Sequence, residues 1–198
     1  MPSNTVTQKR NKAMISLQAL CGLRVSELRT VKIKNLICEE GDYFIYVNPK
    51  DMEVKNAKIR QANFMPLDQD IVHNLISWRD CLLEQDFKEK DPLFPKISSK
   101  FNQHNLLESK VEIETIRSNT SIRDVFKKAF QEAGYHYLRP HSFRHTIVRF
   151  AEKQTPEFLN AVRQALGHSS INTTFQSYGE LSEYEQRKRI RELANDIH

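Results

Sequence analysis

The chain has 198 residues, 39% of them hydrophobic, so it can bury one sizeable core, and we expect a single domain over residues 1–198. Its formal charge of +5 and pI near 9.1 suit a polyanionic partner without requiring one. The sequence lacks the roughly 20 consecutive apolar residues of a membrane span and a secretory signal. Cys21, Cys38 and Cys81 have no CxxC spacing, so we expect buried free thiols in a cytoplasmic protein, with neither disulfides nor a zinc site.

The first third of the chain predicts two helices followed by strands. Apolar residues recur at helical spacing over residues 9–21, and Gly22 can supply a left-handed cap at the helix end. Ser26 can begin a second, short helix. Residues 43–47 and 58–67 are strand-like and are separated by a polar stretch, which predicts a small antiparallel sheet.

The middle of the chain predicts two amphipathic helices on either side of a long loop. Asp68 begins the first of these helices. Residues 91–118 contain prolines and many polar residues, so we expect irregular structure there. Ser121, with Asp124, is expected to cap the second helix, which Gly134 ends.

The last third predicts three further helices. Ser142 can start one, and Thr155 followed by Pro156 is a favourable N-cap and first residue for the next, which Gly167 ends. A capping box at residues 182–185 opens a basic C-terminal helix. The chain is therefore expected to be α+β, mainly α-helical, with a small antiparallel β-sheet.

Four short segments carry residues suited to chemistry on a phosphate. They are GLRVSEL at 22–28, the predicted hairpin around Lys58, HSFRH at 141–145, and the stretch 166–179. Two arginines can clamp a phosphate through paired hydrogen bonds, and their charge would stabilise a pentacoordinate phosphorane. A tyrosine can attack a phosphodiester, and histidines can donate to the phosphate or accept the phenolic proton.

The order and spacing of these segments resemble the tyrosine recombinase family, also called phage integrases. The chain keeps a GLRxSEL string at 22–28, an HxxR string beginning at His141, an LGH string at 166–168, and then Tyr178. Each string alone is weak, but three in the same order are specific. The resemblance implies the catalytic-domain fold of that family.

The resemblance also implies roles for individual residues. Arg24 and Arg144 would bind the non-bridging oxygens of the scissile phosphate. His141 and His168 would hydrogen-bond the same phosphate, with His141 also exchanging a proton with the nucleophile. Tyr178 would attack the phosphorus and form a 3′-phosphotyrosyl bond. No cofactor and no metal are implied, because arginines and a lysine supply the positive charge.

The family lysine lies in a β-hairpin and acts as general acid on the leaving 5′-oxygen. The hairpin here offers Lys50, Lys55 and Lys58. Lys58 lies eight residues before Pro66, as the family lysine usually does before the proline that closes the second strand, and Lys55 is the alternative if the turn is longer. Glu27 follows Arg24 by three residues, and we expect it to orient a basic side chain.

The sequence departs from the family in two respects. Tyr178 follows His168 by ten residues, one more than is common in the family. GLRVSEL also lies close to the start of the chain, whereas family members have an N-terminal DNA-clamping domain before it. We therefore expect a catalytic-domain fragment, or a naturally truncated protein, without that clamping domain.

The function implied by the resemblance is site-specific recombination of double-stranded DNA. A homotetramer would act on two duplexes in a bacterial or phage setting, with no membrane partner, and integration or excision of a mobile element is favoured over chromosome-dimer resolution. Two alternatives remain. One is a type IB topoisomerase-like enzyme that nicks and closes a single duplex, and the other is a non-cleaving DNA-binding protein of the same fold.

Overall fold

The computed structural model describes residues 5–101 and 107–167. Within these residues the chain is mainly helical and adds two small antiparallel sheets, which confirms the expected α+β class. Over the same residues, no helix combines the length and apolar character needed to cross a bilayer. The predicted capping box at 182–185 lies outside the described residues.

Helix α1, Val6–Cys21, has well-defined signals at both ends. Thr5 precedes it, and its hydroxyl accepts the backbone N–H of Gln8 at 3.2 Å. Gly22 ends it in the left-handed conformation, with φ 54°. The predicted helix is confirmed, although it begins three residues before position 9.

Helix α2, Val25–Thr30, follows almost at once and does not begin as predicted. Arg24, not Ser26, occupies the N-cap position. The carboxylate of Glu27, at the third position of the helix, accepts the backbone N–H of Arg24 at 2.8 Å, as a glutamate does in a capping box. The helix start is thus set by an acidic side chain in its first turn.

The first sheet has three antiparallel strands in the order β1 (Leu36–Glu39), β2 (Asp42–Val47) and β3 (Arg60–Asn63). The two expected strands are present, but the second is shorter than the predicted 58–67. Strand β1 was not predicted. It pairs with β2 through a tight turn in which Gly41 has φ 91°, a conformation that favours glycine.

Helix α3, Gln69–Leu83, begins after Asp68 as predicted. Its apolar face enters the core, where Trp78 is 2% exposed and donates its indole N–H to the carbonyl of Leu93 at 2.8 Å. This bond satisfies the one polar atom of a large buried ring. It also fixes the chain just before the second sheet.

The prediction of irregular structure over 91–118 was wrong, because most of this stretch forms a hairpin. Strand β4, Pro95–Phe101, pairs antiparallel with β5, Leu107–Thr115. Lys96 on β4 forms an ion pair at 2.9 Å with Glu112 on β5. Some of the polar residues that suggested a loop, Ser99, Ser109 and Lys110, are instead exposed positions of a two-stranded ribbon.

Helix α4, Asn119–Glu132, begins earlier than predicted. Ser118 is the N-cap, and its hydroxyl accepts the backbone N–H of Ser121 at 3.2 Å. The prediction that Ser121 caps the helix was therefore wrong by three residues. Two serines at this spacing offer alternative caps, and the helix uses the one that adds almost a full turn.

Helices α5, Pro140–Ala151, and α6, Pro156–Leu166, complete the described fold. Helix α5 begins at its proline and not at Ser142 as predicted. Helix α6 is confirmed at both ends, with Thr155 as N-cap and Gly167 as left-handed terminator. Helix α5 packs against α1 and α6, and α6 packs against β3, which brings distant parts of the chain together.

The hydrophobic core lies among α1, α3, α4 and the first sheet. Besides Trp78, its largest fully buried apolar side chains are Met14, Leu17, Leu20, Leu23, Leu28, Ile45, Leu75, Leu82, Phe94 and Phe126. Burying each of these side chains is worth about 1.5–3 kcal/mol. This core holds α1 and α2 in place, and with them the loop that connects the two helices.

The three cysteines are free thiols, as predicted, but they are not all buried. Cys21 is buried, Cys81 is half-buried and Cys38 is exposed. The expectation of burial was wrong for Cys38 because it lies on the outer face of β1, a strand that the sequence analysis did not identify.

Candidate active site

Arg24 lies where α1 ends and α2 begins, in a loop pressed against α5. Gly22 makes this approach possible, since a Cβ atom there would lie 3.0 Å from Ile147 Cδ1 and 3.1 Å from Arg144 Cγ. Gly22 also has φ 54°. The side chain of Arg24 is 26% exposed, so its guanidinium is partly open to solvent.

Arg144 lies on the inner face of α5 and joins two segments of the site. It is 1% exposed. Nη1 donates to the carbonyl of Gly22 and Nη2 to the carbonyl of Leu166, each at 2.7 Å. A cation at the C-terminal end of α6 is also favoured by the helix dipole. The phosphate contact predicted for Arg144 stays a prediction, and it requires DNA to reach a guanidinium that is almost fully enclosed.

His141 lies one turn before Arg144 and faces outward. Its ring meets that of His145 edge to face, with 4.9 Å between the ring centroids. Partial burial lowers the pKa of His141 below 6.5, and the positive charges of Arg144, His145 and Arg24 lower it further. The imidazole is therefore neutral near pH 7 and able to accept a proton.

We expect Arg24→Gln to raise the pKa of His141 while leaving that of His145 nearly unchanged. The reason is that Arg24 acts on His141, whereas Arg149 is the arginine that acts on His145 without acting on His141. NMR titration of the histidine ring signals measures both values. Arg149→Gln is the matched control and should raise the pKa of His145 alone. An unchanged His141 pKa in Arg24→Gln would mean that the two side chains are not neighbours in solution.

Glu27 is fully buried and binds two arginines at once. It accepts from Nη1 of Arg24 at 3.1 Å. It also accepts both Nη atoms of Arg60, at 3.0 and 2.7 Å, in a bidentate ion pair. This geometry agrees with the expectation that Glu27 orients a basic side chain, because the carboxylate accepts a hydrogen bond from the guanidinium of Arg24.

Burial alone would raise the pKa of the Glu27 carboxyl. Hydrogen bonding to Arg60, together with the charges of Arg60 and Arg24, more than offsets burial and holds the pKa below its usual 4.5. Glu27 is thus a carboxylate that positions its neighbours. A carboxyl with a lowered pKa is poorly suited to accept a proton during catalysis.

Arg60 is the residue that sequence reasoning missed. It is 8% exposed, and besides Glu27 it donates Nε to the carbonyl of Ala165 at 3.0 Å. It therefore connects β3 to both α2 and the last turn of α6. The available signal was the alternation in β3, where Arg60 shares the inward face with Ala62.

The candidate general acids lie in the connection between β2 and β3. Lys50, Lys55 and Lys58 are all exposed there. Lys55 begins a short 3₁₀ turn, and Lys58 ends it, two residues before Arg60. Lys58 is therefore the lysine nearest in sequence to Arg60, and the choice between Lys58 and Lys55 as the general acid stays open.

His168 and Tyr178 lie outside the described residues, which end at Gly167. Gly167 itself lies in the site, since a Cβ atom there would be 2.9 Å from Cδ of Arg60. The structure therefore gathers Arg24, Arg144 and the residue just before His168 around one point. The side chain of Arg144 joins the three segments, because it binds backbone carbonyls of the other two.

Comparisons with known proteins were consistent with this arrangement. A family model described as the phage integrase family matches residues 2–185. Tyrosine recombinase XerD of Staphylococcus aureus is 24% identical over 197 residues, covering 98% of this chain and 57% of XerD. Tyrosine recombinase XerH of Campylobacter jejuni is 27% identical over 172 residues, covering 87% of this chain and 41% of XerH. The chain spans about half the length of these relatives.

Solved structures share the fold. The XerH recombinase bound to its difH substrate in a pre-cleavage complex aligns with TM-score 0.64 and 22% identity, over 100% of this chain and 50% of that protein. The Tn1549 transposon integrase in complex with transposon right end DNA aligns with TM-score 0.59 and 19% identity, over 97% and 61% of the two chains. The expected fold family is therefore confirmed.

Proposed function

Because the chain belongs to the phage integrase family of tyrosine recombinases, we propose that it cleaves and rejoins double-stranded DNA at a specific site through a 3′-phosphotyrosyl bond. The observation that carries the proposal is the convergence of Arg24, His141 and Arg144 beside the end of α6. Inside the fold, the buried carboxylate of Glu27 supports this arrangement by binding both Arg24 and Arg60.

In the proposed cleavage step, the phenol oxygen of Tyr178 forms a bond to the scissile phosphorus as the bond from phosphorus to the 5′-oxygen breaks. The phenolic proton passes to His141, whose lowered pKa keeps it neutral and ready to accept. The departing 5′-oxygen takes a proton from Lys58, or from Lys55 in its place. Attack of a 5′-hydroxyl on the phosphotyrosine reverses the step and rejoins the strand.

In this scheme the arginines stabilise the negative charge that develops on the scissile phosphate. Arg24 presents a partly exposed guanidinium to the non-bridging oxygens, whereas Arg144, which is 1% exposed, would reach them from α5 behind Arg24. His168 completes the set of phosphate donors. Preorganised donors of this kind stabilise the extra negative charge of the phosphorane without reorganising during the reaction.

The proposed partners follow from the same chemistry. Exchange of strands between two duplexes needs four nucleophiles, so we propose a homotetramer on DNA. Integration or excision of a mobile element is the favoured setting, and one of the aligned structures is a transposon integrase in complex with transposon right end DNA. Positive net charge supports the approach to DNA.

Covalent trapping tests the proposal. A duplex that the chain selects from a randomised pool is nicked near each candidate scissile phosphate, so that the released strand end diffuses away. We expect a protein–DNA adduct on a denaturing gel with the wild type and none with Tyr178→Phe, while both bind the duplex equally. Tyr135→Phe, at an exposed tyrosine that belongs to none of the motifs, is the matched control and should trap normally.

Each outcome of this experiment is informative. DNA binding without an adduct in the wild type would contradict the proposal and favour a non-cleaving DNA-binding protein. An adduct that persists in Tyr178→Phe would move the nucleophile to another residue. Exchange of strands between two duplexes, assayed on the same site, separates a recombinase from an enzyme that only nicks and closes one duplex.

A further inference from the structure

A buried amide links the two segments that carry Arg24 and His141. Gln18 lies in the last turn of α1 and is 0% exposed. Its Nε2 donates to the carbonyl of Leu23 at 2.9 Å and to the carbonyl of Pro140 at 2.8 Å. Both partners are acceptors only, so the nitrogen and not the oxygen of the amide must face them.

The two carbonyls belong to the residues immediately before Arg24 and His141. One nitrogen atom thus sets the separation of two peptide units that lie more than a hundred residues apart in sequence. We propose that Gln18 is a positioning residue for DNA cleavage, which holds the Arg24 loop and the first turn of α5 at the spacing needed to grip one phosphate. This inference rests on the proposed function.

The polar character of Gln18 favours this role over simple packing. Neighbouring core positions of α1, such as Leu17 and Leu20, are apolar and fully buried. Among the described residues, Oε1 of Gln18 has no hydrogen-bond partner although it is buried, which costs stability. An apolar residue would avoid that cost but could not bind two carbonyls at once.

Gln18→Met is the first test, because methionine has a similar length and volume but no donor. On the duplex used for covalent trapping, we expect single-turnover adduct formation to slow about 100-fold, as for a misplacement of about 1 Å in a catalytic group. The dissociation constant for DNA should change by no more than about threefold, since many phosphate contacts share the affinity. All rates are compared at a temperature at which circular dichroism shows each variant folded.

Asn35→Leu is the matched control. Asn35 is also a buried amide, 1% exposed, and donates Nδ2 to the carbonyl of Tyr46 at 3.0 Å, outside the site. It should lose stability yet form adduct at the wild-type rate. If it slows as much as Gln18→Met, or if Gln18→Met cleaves like the wild type, the proposal is overturned.

Gln18→Glu provides a readout that a packing role would not give. A carboxylate repels the two carbonyls, whereas a protonated carboxyl can donate to one of them. The rate of this variant relative to the wild type should therefore rise as the pH falls. A ratio that is independent of pH would contradict the proposed donor role.

The final measurement does not depend on cleavage. In Gln18→Met the first turn of α5 should separate from the Arg24 loop, so the pKa of His141 should rise toward its ordinary value, as measured by NMR. A wild-type His141 pKa in this variant overturns the inference even if the wild type forms no adduct. An absent wild-type adduct with a shifted His141 pKa instead rejects the proposed function and retains the link between the two segments.

Discussion

Arg60→Met is expected to destabilise the protein by about 3–5 kcal/mol, the cost of leaving a buried charge without its partner. The partner is Glu27, which is 0% exposed and loses two hydrogen bonds of 3.0 and 2.7 Å. The carbonyl of Ala165 also loses its donor. Urea unfolding followed by circular dichroism measures the loss. Lys128→Met, which breaks an exposed pair with Glu132, is the control and should cost under about 0.5 kcal/mol.

The dependence of this penalty on pH identifies its cause. In the wild type the Glu27 pKa is lowered, so its stabilising contribution is present above 4.5 and is lost as the pH falls through the lower folded value. Without Arg60, burial raises that pKa, and protonation then favours the folded state. The penalty of Arg60→Met should therefore shrink as the pH falls toward 4.5. A penalty that stays constant with pH would mean that lost packing, and not the unpaired carboxylate, causes it.

Gly167→Ala is expected to cost about 2–5 kcal/mol, combining left-handed backbone strain with overpacking. The position has φ 71°, and the new Cβ would lie 2.9 Å from Cδ of Arg60. Arg60 cannot easily move aside, because its guanidinium is held by Glu27 and by the carbonyl of Ala165. The substitution therefore strains the end of α6 and the ion pair together.

Gly134→Ala is the matched control for Gly167→Ala. It has nearly the same backbone conformation, with φ 74°, but nothing lies within 4 Å of the added Cβ. It should cost only about 1–2 kcal/mol, the backbone part alone. The difference between the two variants, from urea unfolding, measures the contact with Arg60. That difference should shrink when each glycine substitution is made separately in an Arg60→Met background, where the side chain at position 60 is no longer held in place, and an unchanged difference would place the strain elsewhere.

Sequence predicted those elements whose ends are fixed by local chemistry. Thr155 with Pro156, and Gly22 and Gly167 at helix ends, each act on the backbone within a few residues, so their effects could be read directly. The predicted N-cap was wrong where two polar residues could each have capped the helix. Ser118 caps α4 in place of Ser121, and Asn119 in the added turn accepts a hydrogen bond from Nε of Arg29 on α2, a contact that depends on tertiary packing.

The sequence predicted the motif residues of the site but not the residues that support them. Arg24, His141 and Arg144 stood out as motif residues, and the structure places their segments together. Arg60 and Gln18 belong to no motif, and their roles depend on carbonyls that approach only after the chain has folded. The alternation in β3 could indicate that Arg60 is buried, but the carbonyls that Arg60 and Gln18 contact leave no trace in the sequence.

The main contacts of the site also determine when it can form during synthesis. The bond from Arg144 to Gly22 closes a loop of 122 residues, and that from Arg60 to Ala165 closes one of 105. Closing long loops slows folding, because chain entropy is lost before the contact is gained. For most of its synthesis on the ribosome, the chain therefore contains Arg24 but lacks the partners that complete the phosphate-binding site. The nascent protein should remain unable to grip a phosphate in this way until α6 has been released.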